Sequence, residues 1–120
     1  MKFRKEERLH QEKAIKELFD RGSSFYLSPF KVFHIKNSNS ETAFHQVLFT
    51  VPKRNFKRAV DRNLLKRRMR EAYRLNKSLL PASPKLFIAY IYNANEILTF
   101  AQIQKRLVKT FNRFDHVEKI

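Results

Sequence analysis

Apolar residues along this chain recur at two periods, and the switches between them mark out the elements. Ala14, Ile15, Leu18 and Phe19 fall at helical spacing and make one stripe. Gly22, the single glycine, follows where a left-handed C-cap is expected, which predicts a first helix over about residues 8 to 20. Phe25-Tyr26-Leu27 and Val32-Phe33-His34-Ile35 read as strand, interrupted at Ser28-Pro29. Asn37-Ser38-Asn39-Ser40 is a turn signal, and Ala43 to Val51 reads as a further strand closed by Pro52. Residues 24 to 51 therefore hold two strands or three, and three is adopted. A basic helical stretch follows, then Pro81-Ala82-Ser83-Pro84, then the apolar run Leu86 to Tyr92, which reads as a buried strand. Thr99 precedes Ile103, Leu107 and Phe111 at helical spacing, and Gln102 is placed to complete a capping box with it. The order is α-β-β-β-α-β-α, an α+β fold in which helices pack on one four-stranded sheet.

Length leaves room for one core, so residues 1–120 are expected to form a single domain, frayed over 1–6 and 112–120. Cysteine is absent, which excludes disulfides and thiolate metal sites. Leu86 to Tyr92 is too short to span a bilayer, and no apolar segment follows the basic first residues as a signal peptide requires. A cytoplasmic protein without a membrane partner is expected.

Charge sharpens the picture. Lys and Arg number 26 against 11 Asp and Glu, a net charge of +15, which predicts a polyanionic partner. Lys53 to Arg74 holds ten cations and two carboxylates, so more than half of the excess lies in 22 residues. At 100° per residue, Arg62, Lys66, Lys77, Arg70, Asn63, Arg74 and Arg67 share an arc of about 140°. Leu64, Leu75, Ala72, Leu65 and Met69 share the opposite one. Arg68 falls among the apolar residues and must snorkel. Asp61 is placed as the N-cap. A merely solvated face would carry Glu four residues from its cations, and this one hardly does. Guanidinium groups bond phosphate in two-pronged fashion, and Arg62 to Arg74 rises about 18 Å, enough to follow several nucleotides.

Catalysis by the chain alone has little to rest on. His10, His34, His45 and His116 show no metal-ligand spacing, and one glycine cannot make a phosphate loop. Asp61 and Glu71 stand about 15 Å apart along one helix, too far to clamp two ions. No catalytic residue and no metal ligand is assigned to the protein.

Arg62-Asn63-x-x-Lys66-Arg67-x-x-Arg70-Glu71, preceded by Lys53-Arg54 and Ala59, resembles the signature of the bacterial ribonuclease P protein component. Leu9, Phe19 and Gly22 fit that family's opening helix and turn, and Phe87 to Asn93 fits its last strand. The resemblance implies a four-stranded mixed sheet with a left-handed βαβ crossover. It also implies an accessory subunit of an endoribonuclease, whose catalytic RNA subunit removes the 5′ leader of precursor tRNA. Mg2+ ions would be held mainly by that RNA and the substrate. The RNA subunit and precursor tRNA are the expected partners, with no obligate protein partner. Carried over residue by residue, Arg58, Arg62, Asn63, Lys66, Arg67, Arg70 and Arg74 would face the RNA subunit. Phe19, Phe25, Tyr26, Lys53 and Arg54 would serve the single-stranded leader, although Phe25 and Tyr26 point to opposite faces if they share a strand. Two departures stand out: Ile15 replaces an aromatic residue present in many members, and Pro52 to Arg58 lacks the usual glycine. The competing reading is a structural RNA-binding protein of ribosomal type.

Overall fold

The computed structural model describes residues 3–38 and 42–116. Its elements are α1 (Glu12–Arg21), β1 (Ser23–Leu27), β2 (Phe30–Lys36), β3 (Gln46–Thr50), α2 (Ala59–Asn76), β4 (Leu86–Tyr92) and α3 (Phe100–Phe111). Three strands do lie between residues 24 and 51. The sheet order is β1-β2-β4-β3, with β3 parallel to β4 and the other neighbours antiparallel. It is thus a mixed four-stranded sheet, and α2 is the crossover between its two parallel strands.

Both faces of the sheet are covered, unequally. On one face Phe30, Val32, Ile88, Tyr90, Tyr92, Val47 and Phe49 pack against Leu65, Met69, Ala72 and Tyr73 of α2 and Ile103, Leu107 and Phe111 of α3. Aromatic rings meet edge-on through this layer, as Phe30 does with Tyr90, with centroids 5.6 Å apart. The Tyr90 hydroxyl is satisfied by Thr110 Oγ1 at 2.6 Å, and Thr99 and Gln102 form the expected capping box of α3. The second face has a smaller cluster of Leu9, Leu18 and Ala89, with Ala14, Ile15, Phe33, Ile35, Leu48 and Phe87 around it.

Several expectations need correcting. Residues 8–10 are not helical: Arg8 forms a parallel bridge with Val47, and the Leu9 amide donates to the Val47 carbonyl at 3.1 Å. The segment protects the β3 edge, and α1 starts only at Glu12. Asp61 is not the N-cap of α2; Arg58 holds that position, and Asp61 sits in the first turn. Near the ends, Phe3 packs on Phe49 and Tyr73, and Phe114 is buried. Residues 1, 2 and 117–120 lie outside the described residues.

Gly22 caps α1 without a left-handed backbone (φ −68°, ψ 154°). Its lack of a side chain serves close packing instead. A Cβ there would sit 2.3 Å from the Leu18 carbonyl oxygen and 3.0 Å from that of His34. Gly22→Ala is therefore expected to lower stability by about 1–3 kcal/mol, read as a shifted urea midpoint at constant slope. A neutral substitution would show that the turn relaxes freely.

A buried polar knot ties the N-terminal segment to the far end of α2. Glu7, almost fully buried, accepts from Lys77 Nζ at 2.8 and 3.0 Å and from the Arg4 amide at 2.6 Å. Nearby, His45 Nδ1 accepts from the Leu86 amide (3.0 Å), so Nε2–H donates to the Pro81 carbonyl (2.8 Å). Burial holds the His45 pKa below its ordinary 6.5, with the Pro81 bond opposing and the Lys85 charge assisting. The unfolded chain takes up this proton first, so His45 lends full stability above pH 6.5 and loses it as pH falls towards the depressed value. Unfolding free energies at stepped pH should decline below that point, His45 contributing at most about 1.4 kcal/mol per pH unit. His45→Gln should flatten the decline while leaving the part due to His34, whose pKa is also lowered by burial. Parallel curves would show that His45 does not carry the linkage.

Candidate nucleic-acid interface

The sequence pattern set a cationic arc opposite an apolar arc on α2, and the structure rotates that division. Leu65, Met69, Ala72 and Tyr73 are buried, whereas Leu64 is half-buried and Leu75 exposed. Tyr73 falls inside the arc assigned to cations, and its ring packs on Phe49 and Phe111. The large aromatic turns the helix towards the sheet and brings Arg62 and Lys66 to the border of the packed stripe. Asn63, Arg67 and Arg70 stay exposed, with Arg58 exposed at the N-cap.

The arginines of this region divide by partner. Arg62 Nη1 donates to the carbonyls of Phe56 (2.8 Å) and Lys57 (2.9 Å), bracing the loop that leads into the helix. Arg68 does snorkel, and its guanidinium donates to the Leu98 carbonyl before α3. Arg74 pairs with Glu71 one turn earlier; this holds the Glu71 pKa below and the Arg74 pKa above their ordinary values. Arg58 approaches Asp61 at 3.9 Å. Of the seven residues proposed for the RNA subunit, Arg62 thus has a structural task first. Lys66, Arg67, Arg70 and Asn63 form the continuous outward surface.

The second site lies on the sheet face that carries α1. Register places Tyr26, Lys31, Ile91 and Thr50 in one row, each opposite the next across neighbouring strands. The helix covers the rows behind it, and this row stays open: Tyr26 is 54 % exposed. Phe19, 38 % exposed at the end of α1, meets Phe33 edge-on with centroids 4.8 Å apart. Lys31 Nζ stands 5.6 Å from the centroid of the same Phe33 ring. A strip of alternating rings and cations results, suited to unstacked bases and their phosphates. Lys53 and Arg54, both exposed in the turn after β3, stand at one end of it.

Phe25 does not belong to this strip. It lies opposite Val32 on the core face, touches Phe114 with centroids 5.9 Å apart, and lies under the Arg113 guanidinium at 4.4 Å. Strand alternation sends Tyr26 to the cleft and Phe25 to the core. Lys31 and Phe33 were missed by sequence reasoning. The alternation Lys31-x-Phe33-x-Ile35 puts them on one face, but only the pairing of β1 with β2 sets that face beside Tyr26.

A single mixed sheet with a basic crossover helix and an open aromatic strip defines a small α+β module for binding nucleic acid. Comparisons narrow this to a family. Residues 3–115 match the family model Ribonuclease P. The ribonuclease P protein component of Porphyromonas gingivalis is 34% identical over 114 residues, covering 91% of this chain and 83% of that protein. That of Chlorobium phaeobacteroides is 44% identical over 80 residues, or 64% of this chain and 55% of that one. Among solved structures, the ribonuclease P protein from Thermotoga maritima superposes with a TM-score of 0.75 at 26% identity, covering 89% of this chain and 96% of that chain. The Staphylococcus aureus protein has the same fold (TM-score 0.74, 24% identity, 92% and 96% covered). The chain belongs to the bacterial ribonuclease P protein family, the protein components of the endoribonuclease ribonucleoprotein that processes tRNA 5′ ends.

The two classes of arginine predict different phenotypes. Arg62→Ala removes two bonds to loop carbonyls and should lower stability by about 1 kcal/mol, the half-exposed position weakening each bond. Arg67→Ala touches nothing that holds the fold and should change stability by less than about 0.5 kcal/mol. Equal urea midpoints for the two variants would contradict the division.

Proposed function

We propose that the protein holds two RNAs at once, the catalytic RNA subunit on the outer face of α2 and the precursor tRNA leader along the open sheet row. Asn63, Lys66, Arg67 and Arg70, with Arg58, contact phosphates of the RNA subunit; such contacts position a backbone and read no sequence. Phe19, Tyr26 and Phe33 offer ring faces and edges to leader bases, while Lys31, Lys53 and Arg54 meet leader phosphates. The observation that carries this reading is the junction at residues 53–58. The turn that closes one end of the sheet row runs straight into α2, so one short segment joins the two surfaces.

What this chain's residues do is bind and orient. Among the described residues no three His, Cys, Asp or Glu side chains converge as a metal site. Mg2+ belongs, in this reading, to the RNA subunit and the substrate. No helix among the described residues is long and apolar enough to cross a membrane, and the RNAs it serves assign the protein to the cytoplasm.

Reconstitution tests the reading directly. The purified chain should restore cleavage of precursor tRNA by a bacterial ribonuclease P RNA at low magnesium. Lys66→Ala/Arg67→Ala/Arg70→Ala should weaken RNA-subunit binding and flatten its salt dependence by about 0.7–0.9 log units per lost phosphate contact, with circular dichroism unchanged. Phe19→Leu and Tyr26→Ala should instead reduce the preference for precursor over mature tRNA by about 1–3 kcal/mol each. No rescue of cleavage would favour a structural RNA-binding protein. An unaltered precursor preference would move the leader off the sheet row.

A further inference from the structure

A second cationic ridge lies on α3, and the reading above gives it no task. Residues 97–114 contain Lys105, Arg106, Lys109 and Arg113 and not one carboxylate. A helix face that is only solvated normally balances its cations with Glu or Asp one turn away. All four are exposed; Lys105, Arg106 and Lys109 share one side of α3, and Arg113 follows in the short 3-10 turn after it. Around α3, Gln104 lies against α2, where Asn76 donates to it at 2.9 Å. Ile103, Leu107, Thr110 and Phe111 are buried against the rest of the fold. Lys105, Arg106 and Lys109 take the remaining, exposed side of the helix.

Two of the four cations are fixed to the β1 edge of the sheet. Arg106 Nη1 donates to the Ser28 carbonyl at 2.9 Å, in the turn between β1 and β2. The Arg113 guanidinium covers the Phe25 ring on β1 at 4.4 Å. Lys109 lies between these anchors in the chain and Lys105 just before the first, and the stretch from residue 105 to residue 113 spans about 12 Å. Its Ser28 end adjoins the strand residue pair Tyr26–Lys31, the outermost step of the open sheet row. The row crosses three strand spacings, about 14 Å, from Thr50 beside Lys53 to Tyr26. Arg106 and Arg113 are the cations that contacts fix to the β1 side of that end.

The direction of the leader follows from the two surfaces. The catalytic RNA sits on α2, whose N-terminus adjoins Lys53 and Arg54, so the scissile bond belongs at that end of the row. The 5′ part of the leader then leaves over β1. We propose that Lys105, Arg106, Lys109 and Arg113 bind leader phosphates lying 5′ of those in the sheet row, so that the leader path turns over the β1 edge onto α3. This rests on the placement of the leader on the sheet, and it adds a length-dependent contact that the row alone does not supply.

The test uses the reconstituted holoenzyme and three tRNAs, one mature and two with 5′ leaders of about three and about twelve nucleotides. Lys105→Gln/Lys109→Gln is the variant, since neither side chain braces the main chain. It should weaken binding of the long-leader substrate about 3–10-fold at low salt. It should also reduce that substrate's salt slope by about 1.4, the value for two phosphates on a single strand. Binding of the short-leader substrate, mature tRNA and the RNA subunit should not change, and Lys105→Arg/Lys109→Arg should behave as the native protein. An equal loss on short and long leaders, or no loss on either, would overturn the proposal. A loss confined to RNA-subunit affinity would overturn it too, and would place the ridge against that RNA. Tyr26→Ala keeps the two readings apart: its effect on the short leader judges the sheet row, and the long-minus-short difference judges the ridge.

Discussion

A central strand with no charged side chain governs this molecule. β4 reads Leu-Phe-Ile-Ala-Tyr-Ile-Tyr, lies between β2 and β3, and needs an apolar cover on both faces. The long α2 and α3 supply one cover with Leu65, Met69, Tyr73, Ile103 and Leu107. The other comes from α1, a helix of ten residues whose buried anchor is Leu18. So short a helix covers the rows of Phe33–Ala89–Leu48 and Ile35–Phe87 and stops short of the next one. The open row of Tyr26, Lys31, Ile91 and Thr50 is the direct consequence. An open strip arises here from incomplete covering of a two-sided sheet.

The second constraint is charge. A chain with a net charge of +15 has few carboxylates with which to neutralise its cations. Glu7 binds Lys77, and Glu71 binds Arg74. Elsewhere arginine turns to main-chain oxygen: Arg62 to Phe56 and Lys57, Arg68 to Leu98, Arg106 to Ser28. Each of these bonds clamps a connection next to a helix, so part of the cationic excess fastens the loops of the fold. The remainder points outward and repels itself, which an RNA polyanion relieves. The aromatic layers between sheet and helices offset that repulsion in the protein alone.

These two constraints explain why the surfaces are chemically unlike. The α2 face has short cationic contacts along a rigid helix and suits a folded RNA held by its backbone. The open sheet row, with Tyr26 in it and Phe19 and Phe33 beside it, suits bases released from stacking. The two surfaces join at Lys53 to Arg58. In the two-RNA reading proposed above, that junction sets a rigid hold on the RNA subunit beside an adaptable hold on the substrate.

Much of this was legible in the sequence, because periodicity and charge are local. The strand Leu86–Tyr92, the capped helix after Thr99, the α2 cationic run and the alternation of Phe25 with Tyr26 need only neighbours in the chain. What escaped was whatever depends on a distant partner. Leu9 joins an edge strand because Val47 is there to accept its amide, although nothing between residues 5 and 12 forbids a helix. Gly22 looks like a left-handed cap until the approach of the Leu18 and His34 carbonyls shows that space is what it provides. Tyr73 rotates α2 because Phe49 and Phe111 lie across from it, and that rotation decides which arginines face outward and which brace the chain. Lys31 and Phe33 become part of a binding strip only when the register of β1, β2 and β4 sets them beside Tyr26 and Ile91. The sequence by itself determined the elements, the core-forming residues and the sign of the partner's charge, all of which follow from side-chain chemistry read at short range. Tertiary structure alone decided which surfaces are open and which cations are committed to the fold, because both depend on contacts between residues far apart in the chain.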